Sequence, residues 1–250
     1  MNEDRAPLLR VATYNVHGCV GMDRQRSEAR IAEVVASLSA DLVALQELDF
    51  GRTRSAGVDQ ARLIAEQLGW EQIFLPAVQN GSEQYGNAII SRYPLRLARA
   101  VELPGEGSWY CREKRIAMWT VAETEMGPVQ VINTHFALGR AERFLQAKFL
   151  TEAFADVPPE EPLLLLGDFN SLPGSRAIAH LRAHLRSVRA LLRATGPCPT
   201  FPTRFPAVAV DHIFVNEALE PVAFRVPQTP LARIASDHYP LLADFRKSVR

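Results

Sequence analysis

Eight polar residues that can bind a cation or transfer a proton stand at or beside the ends of apolar runs in this sequence. They are Asn15, Glu47, His135, Asp168, Asn170, Asp211, Asp237 and His238. Taken singly, each has an ordinary structural explanation, because Asn and Asp are common in turns and a histidine can be satisfied within a core. Taken together, carboxylates beside buried strands would carry a large desolvation cost. A divalent cation offsets that cost, so the set indicates a metal site.

The donor atoms of this set indicate which cation would bind. Asn, Asp and Glu offer only oxygen, and no cysteine accompanies them. Oxygen donors select Mg²⁺, Mn²⁺ or Ca²⁺ over Zn²⁺, and a sparse site completed by water and substrate phosphate is typical of Mg²⁺, for which Mn²⁺ can substitute. The histidines are then free for proton transfer. His238 can act as general base on a water if a carboxylate such as Asp211 fixes its tautomer. The predicted chemistry is metal-assisted hydrolysis of a phosphoester.

The stretch PLLLLGDFN, from Pro162 to Asn170, is the clearest of the elements that position these residues. Four leucines after a proline predict a strand that is buried on both faces. Gly167 lets the backbone turn or come close to a ligand, and Asp168 and Asn170 can point the same way because strand side chains alternate. An Asp-Asn turn that closes a core strand is the alternative explanation.

The same periodicities predict the other strands and helices. Strands are expected over residues 8–16, 41–47, 71–76, 85–94, 115–123, 129–133, 210–215, 222–226 and 240–245. Helices are expected over 27–38, 60–68 and 141–154, with one or two more between 175 and 193. The segment 95–103 is expected to form a hairpin with the strand that Pro94 ends. Strands that alternate with helices indicate an α/β fold.

The composition is that of an ordinary globular protein. Of 250 residues, 47% are hydrophobic and 22% are charged, and the formal net charge is zero. We expect a monomer with one domain over residues 1–250 and a core at about 8–246. The chain lacks the basic excess that dedicated DNA-binding proteins more often carry. Three widely spaced cysteines indicate reduced thiols, and no signal peptide or membrane span of about 20 apolar residues is found, which together predict a cytoplasmic protein.

Seven short motifs follow one another along the chain. They are TYNVH from Thr13, LQE from Leu45, YGNAI from Tyr85, NTH from Asn133, GDFN from Gly167, VDHIFV from Val210 and SDHYP from Ser236. The ordered set resembles that of the endonuclease/exonuclease/phosphatase superfamily, which includes exonuclease III, pancreatic-type deoxyribonuclease, inositol polyphosphate 5-phosphatases and neutral sphingomyelinases. The resemblance covers residues 13–240. It implies a four-layered α/β/β/α sandwich, in which two mixed β-sheets pack face to face and helices cover the outside.

The resemblance also implies which residues hold the metal and the phosphate. Glu47 matches the principal Mg²⁺ ligand, with Asn15 and Asp237 beside it. Arg115 falls where many bacterial relatives carry an arginine after a Glu-Pro pair, although the pair is Glu-Lys in this chain. Arg115 is therefore expected to be a phosphate ligand.

Five further residues match catalytic positions of that superfamily. Asp168 and Asn170 match the pair that handles the attacking water and the phosphate, and His135 matches the histidine that contacts the scissile phosphate. His238 matches the catalytic histidine, and Asp211 matches the acid that pairs with it. In the implied mechanism the metal draws charge off the phosphoryl and leaving oxygens while water attacks in line. Either His238 or Asp168 takes the proton, and the sequence leaves both open.

The substrate is a separate question, because one fold hosts many substrates. Aromatic and basic residues of the rim loops 51–59, 104–114 and 197–206 could stack a base, cover a lipid headgroup or pack the loops. Zero net charge argues against a broad DNA groove. Ala-Val-Ala-Val also precedes Asp211 where exonuclease III relatives have Trp-Arg or Tyr-Arg. We expect a small or lipid-linked phosphodiester; a DNA or RNA nuclease and a non-catalytic phospholigand-binding protein are the alternatives.

Overall fold

The computed structural model describes residues 8–105, 113–193 and 198–248. Within these residues, two β-sheets of six strands each form the centre of the molecule. The strands are β1 Leu9–Asn15, β2 Leu42–Phe50, β3 Glu71–Asn80, β4 Glu83–Ser91, β5 Leu95–Leu103, β6 Arg115–Thr124, β7 Gly127–His135, β8 Leu163–Asp168, β9 Arg186–Ser187, β10 Asp211–Val215, β11 Leu219–Arg225 and β12 Leu241–Lys247.

Both sheets are mixed and have a parallel pair near the middle. The first sheet has the order β11-β12-β1-β2-β4-β3, and the second has the order β5-β6-β7-β8-β10-β9. β1 runs parallel to β2, and β7 runs parallel to β8, whereas their other neighbours are antiparallel. The carboxyl ends of parallel neighbours lie at one edge of a sheet. Each sheet therefore brings two strand ends with polar residues together.

Helices cover the outer face of each sheet. They are α1 Glu28–Leu38, α2 Gln60–Leu68, α3 Arg140–Ala153, α4 Arg176–Arg182 and α6 Pro230–Ala235, whereas the short helix α5 Val188–Leu191 packs through Val188 on the core between the sheets. Buried residues of α1, α2 and α6 pack with those of β1, β2 and β4, while α3 and α4 pack on the outside of β6, β7 and β8. A third apolar cluster fills the space between the sheets. These layers confirm the predicted α/β/β/α sandwich.

Local sequence explains where the first two helices begin and end. Ser27 accepts a hydrogen bond from the Arg30 backbone N–H, and Asp59 accepts one from Arg62, so both helices have a side-chain cap at the N-terminus. α2 ends at Gly69, which has φ of 69°. This left-handed conformation is one that glycine adopts without a steric penalty. Both helices match the expected residues 27–38 and 60–68.

One expected pairing is wrong. The segment Leu95–Leu103 does not form a hairpin with β4 but becomes β5 at the edge of the second sheet, where it pairs with β6. The short turn after Ser91 therefore carries the chain from one sheet to the other instead of back along its own sheet. Adjacency in sequence favours a hairpin, but it cannot distinguish a turn within a sheet from a crossing between two sheets.

Gly167 allows β7 and β8 to pair closely immediately below the polar strand ends. It faces Thr134 in the parallel register, and its φ is 150°. A Cβ atom at this position would lie 1.9 Å from the Thr134 carbonyl oxygen. The backbone approach at β8 is therefore possible only without a side chain at residue 167.

Substitution Gly167→Ala is expected to lower the free energy of unfolding by about 3 kcal/mol, because the strands must separate to admit the methyl group. The Tm should fall by roughly 6 to 12 °C. Thermal unfolding followed by circular dichroism measures both. Gly174→Ala is the matched control, because a Cβ atom there meets nothing within 4 Å. Equal Tm values for the two variants would contradict the expected clash.

No helix within the described residues is both long and apolar enough to cross a membrane.

Candidate active site

The inner faces of both sheets change from apolar to polar towards one end of the sandwich. On β8, Leu164 and Leu166 belong to the core between the sheets, and Asp168 follows two residues later. β7 runs parallel and places His135 opposite Asp168. β10 runs antiparallel and begins at Asp211, which also pairs with Asp168. The strand register therefore gathers three predicted site residues at a single point.

His238 and Asp211 form a hydrogen-bonded pair. His238 Nδ1 lies 3.0 Å from Asp211 Oδ2, and His238 Nε2 lies 3.7 Å from Asp168 Oδ2. Burial lowers the pKa of His238, but Asp211 and Asp168 outweigh burial and raise it to about 10. Asp211 fixes the ring so that Nδ1 carries a proton and Nε2 is directed at Asp168. This arrangement suits proton transfer at Nε2.

Asp168 lies at the centre of the polar cluster. Its side chain is almost completely buried, and burial raises the pKa of Asp168 to about 7, a shift that nearby Asp211 reinforces and His238 opposes. The Asn170 backbone N–H donates to Asp168 Oδ1 at 2.8 Å, and Asn15 Nδ2 donates to Asp168 Oδ2 at 3.0 Å. A carboxylate held this way can accept a proton near neutral pH.

Glu47 reaches this cluster from the other sheet by way of a β-bulge. The register between β2 and β4 shifts between Leu45 and Leu48, and Glu47 has φ of 63°. A bulge redirects the side chain of the extra residue, often beside a functional site. Glu47 Oε1 accepts a hydrogen bond from Asn15 Nδ2 at 2.9 Å and lies 3.9 Å from His135 Nε2. Asn15 thus contacts carboxylates from both sheets.

His135 and Arg115 form a second buried pair in the same cluster. Arg115 Nη1 lies 2.9 Å from His135 Nδ1, and because a guanidinium only donates, Nδ1 accepts. Burial, Arg115 and His238 all lower the pKa of His135 well below its usual value, so the ring is neutral. Arg115 also contacts Glu113 at 3.3 Å, and its buried Nε has no hydrogen-bond partner among the described residues. The Asn170 side-chain nitrogen lies 3.1 Å from His135 Nε2.

Asp237 is the last of the nine predicted site residues and lines the same pocket. Its carboxylate lies 3.9 Å from His17 Nδ1. The preceding residue, Ser236, donates its hydroxyl hydrogen to the Asn15 carbonyl at 2.8 Å. This bond brings the segment that carries Asp237 and His238 against the end of β1.

The polar cluster forms the floor of a pocket of about 820 Å³. All the predicted site residues except Asn15 and Asp211 line it directly. Its walls include Arg26, Asp49, Arg54, Tyr85, Leu138 and Phe201. Phe201 packs on the His238 ring with 4.8 Å between centroids. Burial and Glu47 raise the pKa of the Tyr85 hydroxyl, which therefore stays protonated.

Part of these walls comes from the three loops predicted at the rim of the site. Arg54 and Phe201 lie in the rim loops expected over 51–59 and 197–206, and Glu113 comes from the loop expected over 104–114. Residues 106–112 and 194–197 lie outside the described residues. Arg26 was not predicted to line the pocket. It lies in an irregular segment after His17, outside the apolar runs that indicated the other site residues. The isolated bridge between Val20 and Arg26 folds this segment towards the pocket.

A further buried histidine lies next to the cluster but outside the pocket. His212 Nε2 lies 2.7 Å from the Ser171 carbonyl oxygen, to which it donates. Burial lowers the pKa of His212 to about 4, although the bond to Ser171 opposes the shift. The folded protein therefore keeps this ring neutral at pH values where an unfolded chain binds a proton.

Stability should consequently fall as the pH decreases from about 6.5 towards 4, because the unfolded chain binds a proton that folded His212 does not. Between pH 7 and pH 5 the contribution of His212 to this loss is about 2 kcal/mol. Urea unfolding at both pH values measures it. His212→Gln, which keeps a donor for Ser171 but does not titrate, should lose correspondingly less stability. Equal losses in both proteins would contradict a neutral buried His212.

Two face-to-face sheets with outer helices define the class of four-layered α/β/β/α sandwich proteins, here with a pocket of carboxylates and histidines at the polar end of the sheets. The family model described as Endonuclease/Exonuclease/phosphatase family matches residues 12–238. The chain therefore belongs to this family, whose members hydrolyse phosphoesters.

Three similar proteins illustrate the extent of the match. The uncharacterized protein YbhP of Escherichia coli (strain K12) is 27% identical over 251 residues, which cover 95% of this chain and 96% of YbhP. The endonuclease/exonuclease/phosphatase structure from Beutenbergia cavernae has a TM-score of 0.81 and 23% sequence identity. The matched region covers 98% of this chain and 72% of the chain in that structure. The mannosyl-6-phosphatase Bt3783 of Bacteroides thetaiotaomicron has a TM-score of 0.75 and 20% sequence identity. The matched region covers 95% of this chain and 99% of the Bt3783 chain.

Proposed function

We propose that the protein is a Mg²⁺-dependent phosphodiesterase that hydrolyses a small or lipid-linked phosphodiester. The observation that carries this proposal is the convergence of the His238–Asp211 pair, Asp168 and the Asn15–Glu47 contact at the floor of one pocket, which His238, Asp168 and Glu47 line directly. A proton-transfer group and a set of oxygen donors within one pocket are what metal-assisted attack of water on a phosphoester requires.

The oxygen donors fit a hard divalent cation. Glu47 and Asp168 both accept a hydrogen bond from the side-chain nitrogen of Asn15, at 2.9 and 3.0 Å, and burial, reinforced by Asp211, raises the pKa of Asp168. We assign the cation to Glu47, Asn15 and Asp237. Among the described residues, the three ionisable groups with ligand atoms within 4.8 Å of one another are Asp168, Asp211 and His238. We do not assign the cation to this trio, because the hydrogen bond between His238 and Asp211 already engages two of its members.

The side chains of the pocket divide the remaining work. The attacking water gives its proton to the pair formed by His238 Nε2 and Asp168, this pair returns a proton to the leaving oxygen, and Asp211 holds the His238 ring in position. Arg115 and neutral His135 bind the phosphoryl oxygens, and the unpartnered Nε of Arg115 offers one further N–H. Asn170 presents its amide beside His135. When bound, Mg²⁺ withdraws charge from the phosphoryl group and the leaving oxygen.

A small or lipid-linked substrate is favoured over a nucleic acid by shape and charge. The pocket of about 820 Å³ has the size of a small-molecule site. Arg26 and Arg54 on its wall are paired with Glu28 and with Asp49, at 3.2 and 2.8 Å. These pairs leave little net positive charge to attract a polyanion, and the net charge of the chain is zero.

Hydrolysis of four substrates tests this function. Purified protein is incubated with bis-p-nitrophenyl phosphate, p-nitrophenyl phosphate, phosphatidylcholine vesicles and a supercoiled plasmid, each with Mg²⁺, Mn²⁺ or EDTA. The proposal predicts metal-dependent cleavage of the diester or of the lipid, with the plasmid intact. Plasmid nicking at comparable rates would establish a nuclease instead. Cleavage of the monoester alone would contradict the diester assignment, and inactivity on all four would favour a phospholigand-binding protein.

A further inference from the structure

A layer of neutral polar side chains lies directly beneath the charged cluster, between the two sheets. It consists of Thr13 on β1, Gln46 on β2 and Asn133 on β7, each of which is fully buried. One step further from the site, the same inner faces are apolar, with Val11, Ala44 and Val131 in the core. One step towards the site on β1 and β7 stand Asn15 and His135, and Glu47 directly follows Gln46. The layer therefore separates the apolar core from the charged site.

The layer connects the two sheets by direct hydrogen bonds. Gln46 Nε2 donates to Asn133 Oδ1 at 2.8 Å and lies 3.0 Å from the Thr13 hydroxyl. Asn133 Nδ2 donates to the carbonyl oxygens of Leu45 and Ala88, at 2.9 and 2.8 Å. Asn133 belongs to the second sheet, whereas its three side-chain partners lie on β2 and β4 of the first sheet.

The two carbonyls that Asn133 contacts mark the position where the β-bulge begins. Leu45 and Ala88 face each other in the ladder between β2 and β4, and the register is lost immediately afterwards. Glu47 lies inside this bulge in the left-handed conformation. Left-handed backbone at a non-glycine residue is costly and persists only where its surroundings hold it. Asn133 supplies such support by fixing both strands at the start of the bulge.

We propose that Asn133, with Gln46, is a positioning residue that holds the Glu47 bulge in register with His135 across the gap between the sheets. This inference rests on the proposed function, because Mg²⁺ binding and hydrolysis would require Glu47 to be aligned with the second sheet. Apolar side chains fill the rest of the space between the sheets and suffice for packing there. Asn133 is different, because both of its side-chain N–H groups and its side-chain oxygen form hydrogen bonds to the first sheet. These bonds also fix the register of the two sheets relative to each other.

Two variants of Asn133 and one control isolate this role. Asn133→Leu keeps the branched shape of the side chain, in a slightly larger volume, but removes every side-chain hydrogen bond to the first sheet, and Asn133→Ser is a smaller replacement in case leucine prevents folding. Thr120→Val is the matched control. Thr120 is also fully buried, lies on the inner face of β6 between Met118 and Ala122, and donates within its own sheet to the Val131 carbonyl. This hydrogen bond involves neither β2 nor β4, the two strands that form the bulge.

Crystal structures give the first result, which does not depend on activity. The contact of 2.9 Å between Glu47 Oε1 and Asn15 Nδ2 should persist in Thr120→Val and be lost in the Asn133 variants. An unchanged Glu47 in either Asn133 variant would overturn the positioning role. This result holds even if the wild-type protein neither binds Mn²⁺ nor cleaves any ester, an outcome that would contradict the proposed function alone.

Metal binding and kinetics give the second result. Mn²⁺ affinity, from the signal of free Mn²⁺ in electron paramagnetic resonance, should fall about tenfold to a hundredfold in the Asn133 variants and stay unchanged in Thr120→Val. With bis-p-nitrophenyl phosphate, kcat should fall by a similar factor, while KM changes little. A general loss of folded protein would lower the active fraction without changing Mn²⁺ affinity per site. Wild-type Mn²⁺ affinity and kcat in Asn133→Ser would refute the proposal.

Discussion

Substitution His238→Ala is expected to lower kcat by about 10³-fold, with a much smaller change in KM. The ring is held by Asp211 at 3.0 Å and directs Nε2 at Asp168, so its removal eliminates the group that exchanges the proton of the attacking water. Steady-state kinetics on bis-p-nitrophenyl phosphate with saturating Mg²⁺ measures the effect. His184→Ala is the matched control, because His184 lies exposed beyond the end of α4.

Asp211, the hydrogen-bond partner of His238, allows a second test of the role of His238 in proton transfer. Asp211→Asn keeps the size of the side chain but removes the charge that raises the pKa of His238. The acidic limb of the pH–rate profile should therefore shift to lower pH, because the ring loses its proton more readily. If His238→Ala retained wild-type kcat, the proton would be transferred elsewhere and Asp168 would become the general base.

Substitution Glu47→Gln is expected to weaken Mg²⁺ or Mn²⁺ binding by at least about tenfold and to lower kcat by about 10²-fold. The amide keeps the size and one oxygen of the carboxylate but removes its negative charge. In the wild-type protein this carboxylate and that of Asp168 share the Asn15 side-chain nitrogen as hydrogen-bond donor. Titration of Mn²⁺ and kinetics at several metal concentrations separate the two effects, since a pure affinity loss is overcome by excess metal.

The Tm of Glu47→Gln should equal or exceed that of the wild-type protein, because a carboxylate close to other carboxylates favours binding of a cation but does not stabilise the folded state. Glu33→Gln on the exposed side of α1 is the control for the loss of one negative charge. Wild-type metal affinity in Glu47→Gln would place the cation elsewhere, with Asp168, Asp211 and His238 as the next group to test.

The positions of the strand ends could be predicted from sequence, because a buried strand and the polar residue that ends it are local features. The apolar run before Asp168 becomes a strand that ends in the site, whereas the strand expected over 41–47 continues past Glu47 to Phe50 and reaches the site at a bulge. The order of the motifs then indicated the family, and through it the two sheets. Neither inference needed knowledge of contacts between distant residues.

The parts that could not be predicted depend on those distant contacts. The bulge that aims Glu47 is stabilised by Asn133, 86 positions later in the chain, and no local pattern in the LQE motif indicates an irregular strand. The switch of β5 to the second sheet was missed for the same reason, since the turn after Ser91 resembles an ordinary hairpin turn. The protonation of Asp168 and His238 likewise depends on burial and on neighbours from separate strands.

The pairing of β1 with β12 joins the first and the last strands among the described residues, and Asn15 contacts a carboxylate 153 residues away. Contacts of such long range form late during folding, because the entropy of closing a long loop must be overcome first. During synthesis, a ribosome-bound chain cannot complete the site before β12 has emerged. Recovery of hydrolysis after dilution from denaturant would therefore time the final docking of the two sheets, later than the return of helical circular dichroism.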